Sequence, residues 1–183
     1  MYRREVETYS VLIVQDEYFL ASAWAELLKS EGVQSIGKAR SVKEAISCIL
    51  ECKPSVVLLD LNIYLTDDDP QDHRYLRDFG GYEVARRAAL AGFDMSRVVV
   101  VTCARVEPSE QMELEALGVR WFLQGLCAPD QLVYVVRSIL GVPTNSARND
   151  RGCAPVVVRR PFQPVILLFG QNQHSSEEEL GAK

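Results

Sequence analysis

Polar residues stand where short apolar runs end. Asp16 and Glu17 follow VLIV, Asp60 and Asn62 follow VVLL, and Thr102 follows VVVV. Two carboxylates about a strand's width apart make a site for a hard divalent cation such as Mg²⁺. That ion takes one or two carboxylates with a carbonyl, waters and a phosphate oxygen. Such an ion can support phosphoryl transfer to a carboxylate. Catalysis of that kind is mainly positioning and charge neutralisation, which a metal, a hydroxyl and a cation around the acceptor supply. Asp16 also stands where a helix N-cap would, and the two roles are compatible.

The elements that must hold these residues follow from periodicity. The runs at 11–14, 56–59 and 98–101 are apolar on both faces and rich in β-branched residues, so they predict buried strands of a parallel sheet. Leu20, Trp24, Leu27 and Leu28 recur at helical spacing before Gly32 stops the helix. Ala45, Ile46, Ile49 and Leu50 do the same after Ser41 and Glu44, a capping-box pair. The pattern continues with a strand at 34–37, a helix at 81–91, a helix at 108–117, a strand at 121–123 and a helix at 129–140. Five strands alternating with five helices predict an α/β fold, a doubly wound five-stranded parallel sheet of flavodoxin-like type with right-handed crossovers. Ligands of such sheets bind beyond the carboxyl ends of the strands, which is where the polar residues fall.

Two regions break the alternation. Residues 63–79 separate a strand from its helix by far more than the usual two to six residues, and residues 142–183 form an irregular extension to a domain at 1–141. Asp67, Asp68 and Asp69 in the long loop read as a solvated acidic run, and His73 has no metal-like partner at helical spacing. In the extension, Arg159, Arg160 and the apolar patch at 162–169 read as an edge or docking segment. The 183 residues are 48% hydrophobic and 25% charged, the balance of a globular chain with a sizeable interior. A net charge of −5 argues against direct DNA binding. No apolar run is long enough to span a bilayer and the first residues lack a signal-peptide stretch, so a cytoplasmic location away from the membrane is expected. Five cysteines at scattered spacing, with no CxxC, predict reduced thiols rather than disulfides or a zinc site.

The stretches VLIVQDEYF, KPSVVLLDLNI, GGYEVARR, VVVVTCA and GVRWFLQGLCAPDQL, in this order and spacing, resemble the receiver domains of bacterial response regulators over about residues 10–141. The resemblance implies a (βα)₅ signalling module rather than a metabolic enzyme. It would serve in a two-component phosphorelay, taking phosphate from a histidine kinase or phosphotransfer protein and acting on a downstream protein partner. A homodimer is a further expectation. By the same resemblance, Asp60 matches the phospho-accepting aspartate and Asp16 the direct metal ligand. Asn62 matches the donor of a backbone carbonyl to Mg²⁺, Thr102 the hydroxyl that turns toward the phosphoryl group, and Phe122 the switch aromatic.

Departures from the pattern matter as much. Gln15 replaces the first of two adjacent acids, which weakens the expected Mg²⁺ site, and Tyr64 replaces a proline after the acceptor. Gly125 and Leu126 stand where a lysine and a cis-proline are expected. Loss of a charge-assisted hydrogen bond from that lysine costs roughly ten- to a hundredfold in phosphoryl binding. Arg105, three residues beyond Thr102, is a candidate substitute cation. The alternative function is a phosphorylation-independent pseudo-receiver, a protein interaction module. A flavodoxin-like enzyme is disfavoured because no Gly-rich phosphate loop follows the first strand.

Overall fold

The computed structural model describes residues 10–64, 80–103, 105–125 and 128–142. The acidic run at Asp67–Asp69, His73, Leu126, Arg159, Arg160 and the apolar patch at 162–169 lie outside the described residues, as do most of the long loop and of the extension.

Strands β1 (Val11–Val14), β3 (Val56–Leu59) and β4 (Val98–Thr102) are buried along their whole length, which is why they carry apolar residues on both faces. They form the middle of a five-stranded parallel sheet of order β2-β1-β3-β4-β5, with β2 (Ile36–Ala39) and β5 (Trp121–Gln124) at the edges. The edge position of β2 explains its weaker pattern, in which Gly37 and Ala39 are buried while Lys38 faces outward. It also lies two residues later than the predicted 34–37. Pairing begins at Val11 with Ile36, and the Ser35 carbonyl is used instead to receive the Ser10 and Val11 N–H groups.

Five helices cover the two faces: α1 (Tyr18–Ser30), α2 (Val42–Cys52), α3 (Gly80–Leu90), α4 (Pro108–Ala116) and α5 (Pro129–Leu140). Alternate strand residues divide the core. Val11, Ile13, Val56, Leu58, Val99 and Val101 pack with α1 and α5, whereas Leu12, Val14, Val57, Leu59 and Val100 pack with α2, α3 and α4. Each fully buried leucine stabilises the fold by about 1.5–3 kcal/mol relative to exposure. Cys48, Cys52 and Cys103, the cysteines among the described residues, are not in disulfides.

Local chemistry sets the helix ends. Gly32 takes φ +91 after α1, a left-handed stop that lets its N–H reach the Lys29 carbonyl. Ser41 caps α2 by accepting the Glu44 N–H at 3.3 Å, while the Glu44 carboxylate accepts from the Arg40 N–H at 2.7 Å. The reciprocal bond of a capping box thus forms one residue early. A short 3₁₀ turn, Met95–Arg97, capped by Asp94, leads into β4 and has no counterpart in the predicted elements.

At the start of α3, the backbone of Gly80 and Gly81 presses onto the segment leaving β3. A Cβ on Gly81 would overlap the Asp60 carbonyl oxygen and Leu61 Cα, and one on Gly80 would overlap the Ile63 carbonyl. The Gly81 N–H donates to the Leu61 carbonyl at 3.0 Å. Tyr64 closes the other side of this segment, pairing as an isolated parallel bridge with Ser41 and accepting the Val42 N–H at 2.9 Å. The chain around Asp60 is therefore clamped between two helix N-termini before the long loop begins.

Candidate functional site

The order β2-β1-β3-β4-β5 reverses direction between β1 and β3, so the crevice beyond their carboxyl ends is the switch point of the sheet. Register brings the site residues there. Val14 pairs with Leu59, and the ladder runs one residue further, with the Asp60 N–H donating to the Val14 carbonyl at 3.0 Å and the Gln15 N–H to the Ala39 carbonyl at 2.9 Å. Gln15 and Asp60 are thereby neighbours, although 45 positions apart in sequence.

Their side chains meet. Gln15 Nε2 donates to Asp60 Oδ2 at 2.8 Å, and Gln15 Oε1 accepts the Glu17 N–H at 3.0 Å. This amide orientation is the chemically consistent one, since the opposite flip would set two oxygens together and aim an NH₂ at an N–H. Asp60 Oδ1 accepts the Asn62 N–H at 3.2 Å. Gln15 is 1% exposed, Asp16 5% and Thr102 2%, so three polar residues at the strand ends are inside the protein. Buried polar groups are normally hydrogen-bonded, and Gln15 uses both ends of its amide.

Asp60, Gln15 and Thr102 line one cavity of about 100 Å³, together with Leu20, Trp24, Val101, Cys103 and Gly125. Asp16 and Asn62 follow the same strands, β1 and β3, but are not in that wall. Two aspartates and a backbone carbonyl at Asn62 are hard oxygen donors of the kind Mg²⁺ takes, and they suit it by chemistry. Among the described residues no group of three His, Cys, Asp or Glu side chains could hold a metal, so a cation here would rest on two carboxylates, the carbonyl and water.

On the β4 and β5 side, Thr102 pairs with Gln124, and its carbonyl accepts the Gly125 N–H at 2.9 Å. Gly125 has φ +75, and a Cβ there would meet none of the described residues within 4 Å. Space is free at this position, but any other residue would pay about 1–2 kcal/mol for the left-handed backbone. A lysine introduced at Gly125 would carry that cost, as Lys53 already does at φ 48. Cys103 Sγ is 3.9 Å from the Gly125 carbonyl, a long contact for a weak donor. Phe122 is half-buried against the core that packs with α2, α3 and α4. Arg105 does not line the cavity. Its side chain is 86% exposed and its Nε lies 3.5 Å from Glu107 Oε1.

Sequence reasoning took Leu20 and Trp24 for core positions of an amphipathic helix and missed their place in the cavity wall. Their four-residue spacing is the signal, because it aligns both on one face of α1. A larger groove of about 610 Å³ lies between α3 and α4, lined by Tyr82, Glu83, Arg86 and Leu117 among others. Burial pushes the Tyr82 phenol pKa up, with the Glu110 carboxylate adding to the effect. None of the strand-end residues reaches that groove.

The fold is that of response-regulator receiver domains. The chain is similar to the signal receiver domain of a LuxO repressor protein from Vibrio parahaemolyticus, with TM-score 0.59 and 23% identity over 73% of this chain and 91% of that one. It is similar to a DNA-binding response regulator of the LuxR family from Staphylococcus aureus, with TM-score 0.58 and 20% identity over 72% and 98% of the two chains. A CheY-like receiver domain protein from Methanospirillum hungatei gives TM-score 0.58 and 17% identity over 73% and 94%. No family model matches the chain, and no curated protein matches it. Among the described residues no helix is long and apolar enough to cross a membrane.

Proposed function

We propose that the chain is a response-regulator receiver domain of a two-component phosphorelay, with Asp60 as the phosphoryl acceptor. The observation that carries this reading is that Asp60 and Thr102, from the ends of adjacent strands, line the same cavity at the switch point of a receiver-type sheet. An Asp60 oxygen attacks the phosphorus of a phosphohistidine on a kinase or phosphotransfer protein. The P–N bond breaks, the imidazole leaves with the electron pair, and an acyl phosphate remains. The Asn62 N–H and the Gln15 amide fix the carboxylate's orientation, and the Thr102 hydroxyl donates to a phosphoryl oxygen. Asp16, Asp60 and the Asn62 carbonyl would hold Mg²⁺, which supplies neutralisation of the phosphoryl charge when bound. Output passes to a downstream protein partner, in the cytoplasm and without direct DNA contact, and a homodimer is part of this reading.

A specific observation favours a second reading. Gln15 donates to the acceptor oxygen Asp60 Oδ2, and no lysine or arginine is among the described residues lining the cavity. The first ties up a lone pair of the attacking oxygen and the second reduces the charge support for a bound phosphoryl group, as in a pseudo-receiver that docks partners without phosphate. Intact mass spectrometry after incubation with acetyl phosphate and Mg²⁺ separates the two. Slow addition of one phosphoryl group, lost in Asp60→Asn, is expected. No addition at millimolar donor, or addition that persists in Asp60→Asn, leaves the pseudo-receiver.

A further inference from the structure

The cavity beside Asp60 has walls that phosphoryl transfer does not require. Leu20 and Trp24 approach it from one face of α1, Val101 and Cys103 from β4 and its end, and Gly125 contributes only backbone. Asp60 supplies a carboxylate, and its two oxygens accept one N–H each from Gln15 and Asn62. A carboxylate has about four lone-pair sites, so capacity for further donors remains. An indole face attracts cations through its quadrupole, most strongly where water is excluded. The lining therefore joins an anion to an aromatic wall, and among the described residues it contains no lysine or arginine. The volume of about 100 Å³ holds several water-sized groups. One water needs about 10–15 Å³ of such space, so an ammonium with one or two carbons fits easily, and only an ammonium with N–H groups can donate to the Asp60 carboxylate, which a quaternary ammonium cannot.

We propose that this cavity binds a primary alkylammonium ion, with the NH₃⁺ on Asp60 and its carbon stem against Trp24 and Leu20. The same chemistry describes a small free amine and the end of a lysine side chain offered by a docked protein. The site stands on the cavity alone and does not depend on Asp60 being phosphorylated.

The test uses the full chain carrying Trp121→Phe, which leaves Trp24 as its one tryptophan. Ethylammonium chloride at fixed ionic strength should change Trp24 emission saturably, with half-saturation at millimolar concentration. Tetraethylammonium should give no saturable change, and Asp60→Asn in the same background should weaken ethylammonium at least fivefold. If Trp121→Phe does not fold, saturation transfer from the unmodified protein to the ethyl protons reads the same binding. Nα-acetyl-lysine amide binding as tightly as ethylammonium, or more so, assigns the lysine source, and binding tenfold weaker assigns the free amine. No saturable change, an equal response to tetraethylammonium, or an unaffected Asp60→Asn overturns the proposal. Ethylammonium binding without phosphoryl labelling keeps this site and removes the phosphorelay reading, whereas labelling without binding does the reverse.

Discussion

On the β1 and β3 side of the strand-end site, contacts are dense and mostly internal. The Gln15 amide spans Asp60 and the Glu17 N–H, Asn62 holds the other Asp60 oxygen, and Gly81 lies directly on the Asp60 backbone. On the β4 and β5 side, Gly125 faces open space in a left-handed turn and Cys103 is exposed with one long sulfur contact. One side fixes where the carboxylate stands, and the other leaves room for whatever approaches it. The position of the Asp60 carboxylate is thus set by the protein, while the described wall brings no cationic side chain to it.

The strongest way to break this contrast is Gly81→Ala. A methyl group there meets the Asp60 carbonyl and Leu61 Cα, neither of which can rotate away, so stability should fall by about 3 kcal/mol or more. A urea midpoint within error of the parent would mean that the clamp is looser than its geometry. Next in size is Gln15→Ala, which removes two hydrogen bonds from a 1% exposed residue and leaves the Glu17 N–H without its side-chain acceptor. It should cost about 2–3 kcal/mol in the same measurement. An unchanged midpoint there would move the ordered side of the site away from Gln15. The smallest effect belongs to the open side. Cys103→Ser should change stability by less than about 0.5 kcal/mol, as expected for an exposed residue with one weak contact. A loss above 1 kcal/mol would show that the open side is as tightly built as the other.

The sequence by itself determined the alternation of strands and helices, because runs such as VLIV and VVLL are apolar on both faces only where both faces will be covered. It also determined that Asp16, Asp60, Asn62 and Thr102 end their strands, and that Ser41 and Gly32 bound helices, since these are local matters of pattern and backbone preference. Tertiary structure decided the rest. Where β2 begins depended on its register against Val11, which no local signal encodes. That Gln15 bonds to Asp60 rather than merely lacking a charge follows from the pairing of β1 with β3, two segments whose neighbourhood is a property of the sheet. The cavity formed by Trp24 and Gly125 joins a helix face to the far edge of the sheet, and the periodicity that put Trp24 inward could not say what it would face.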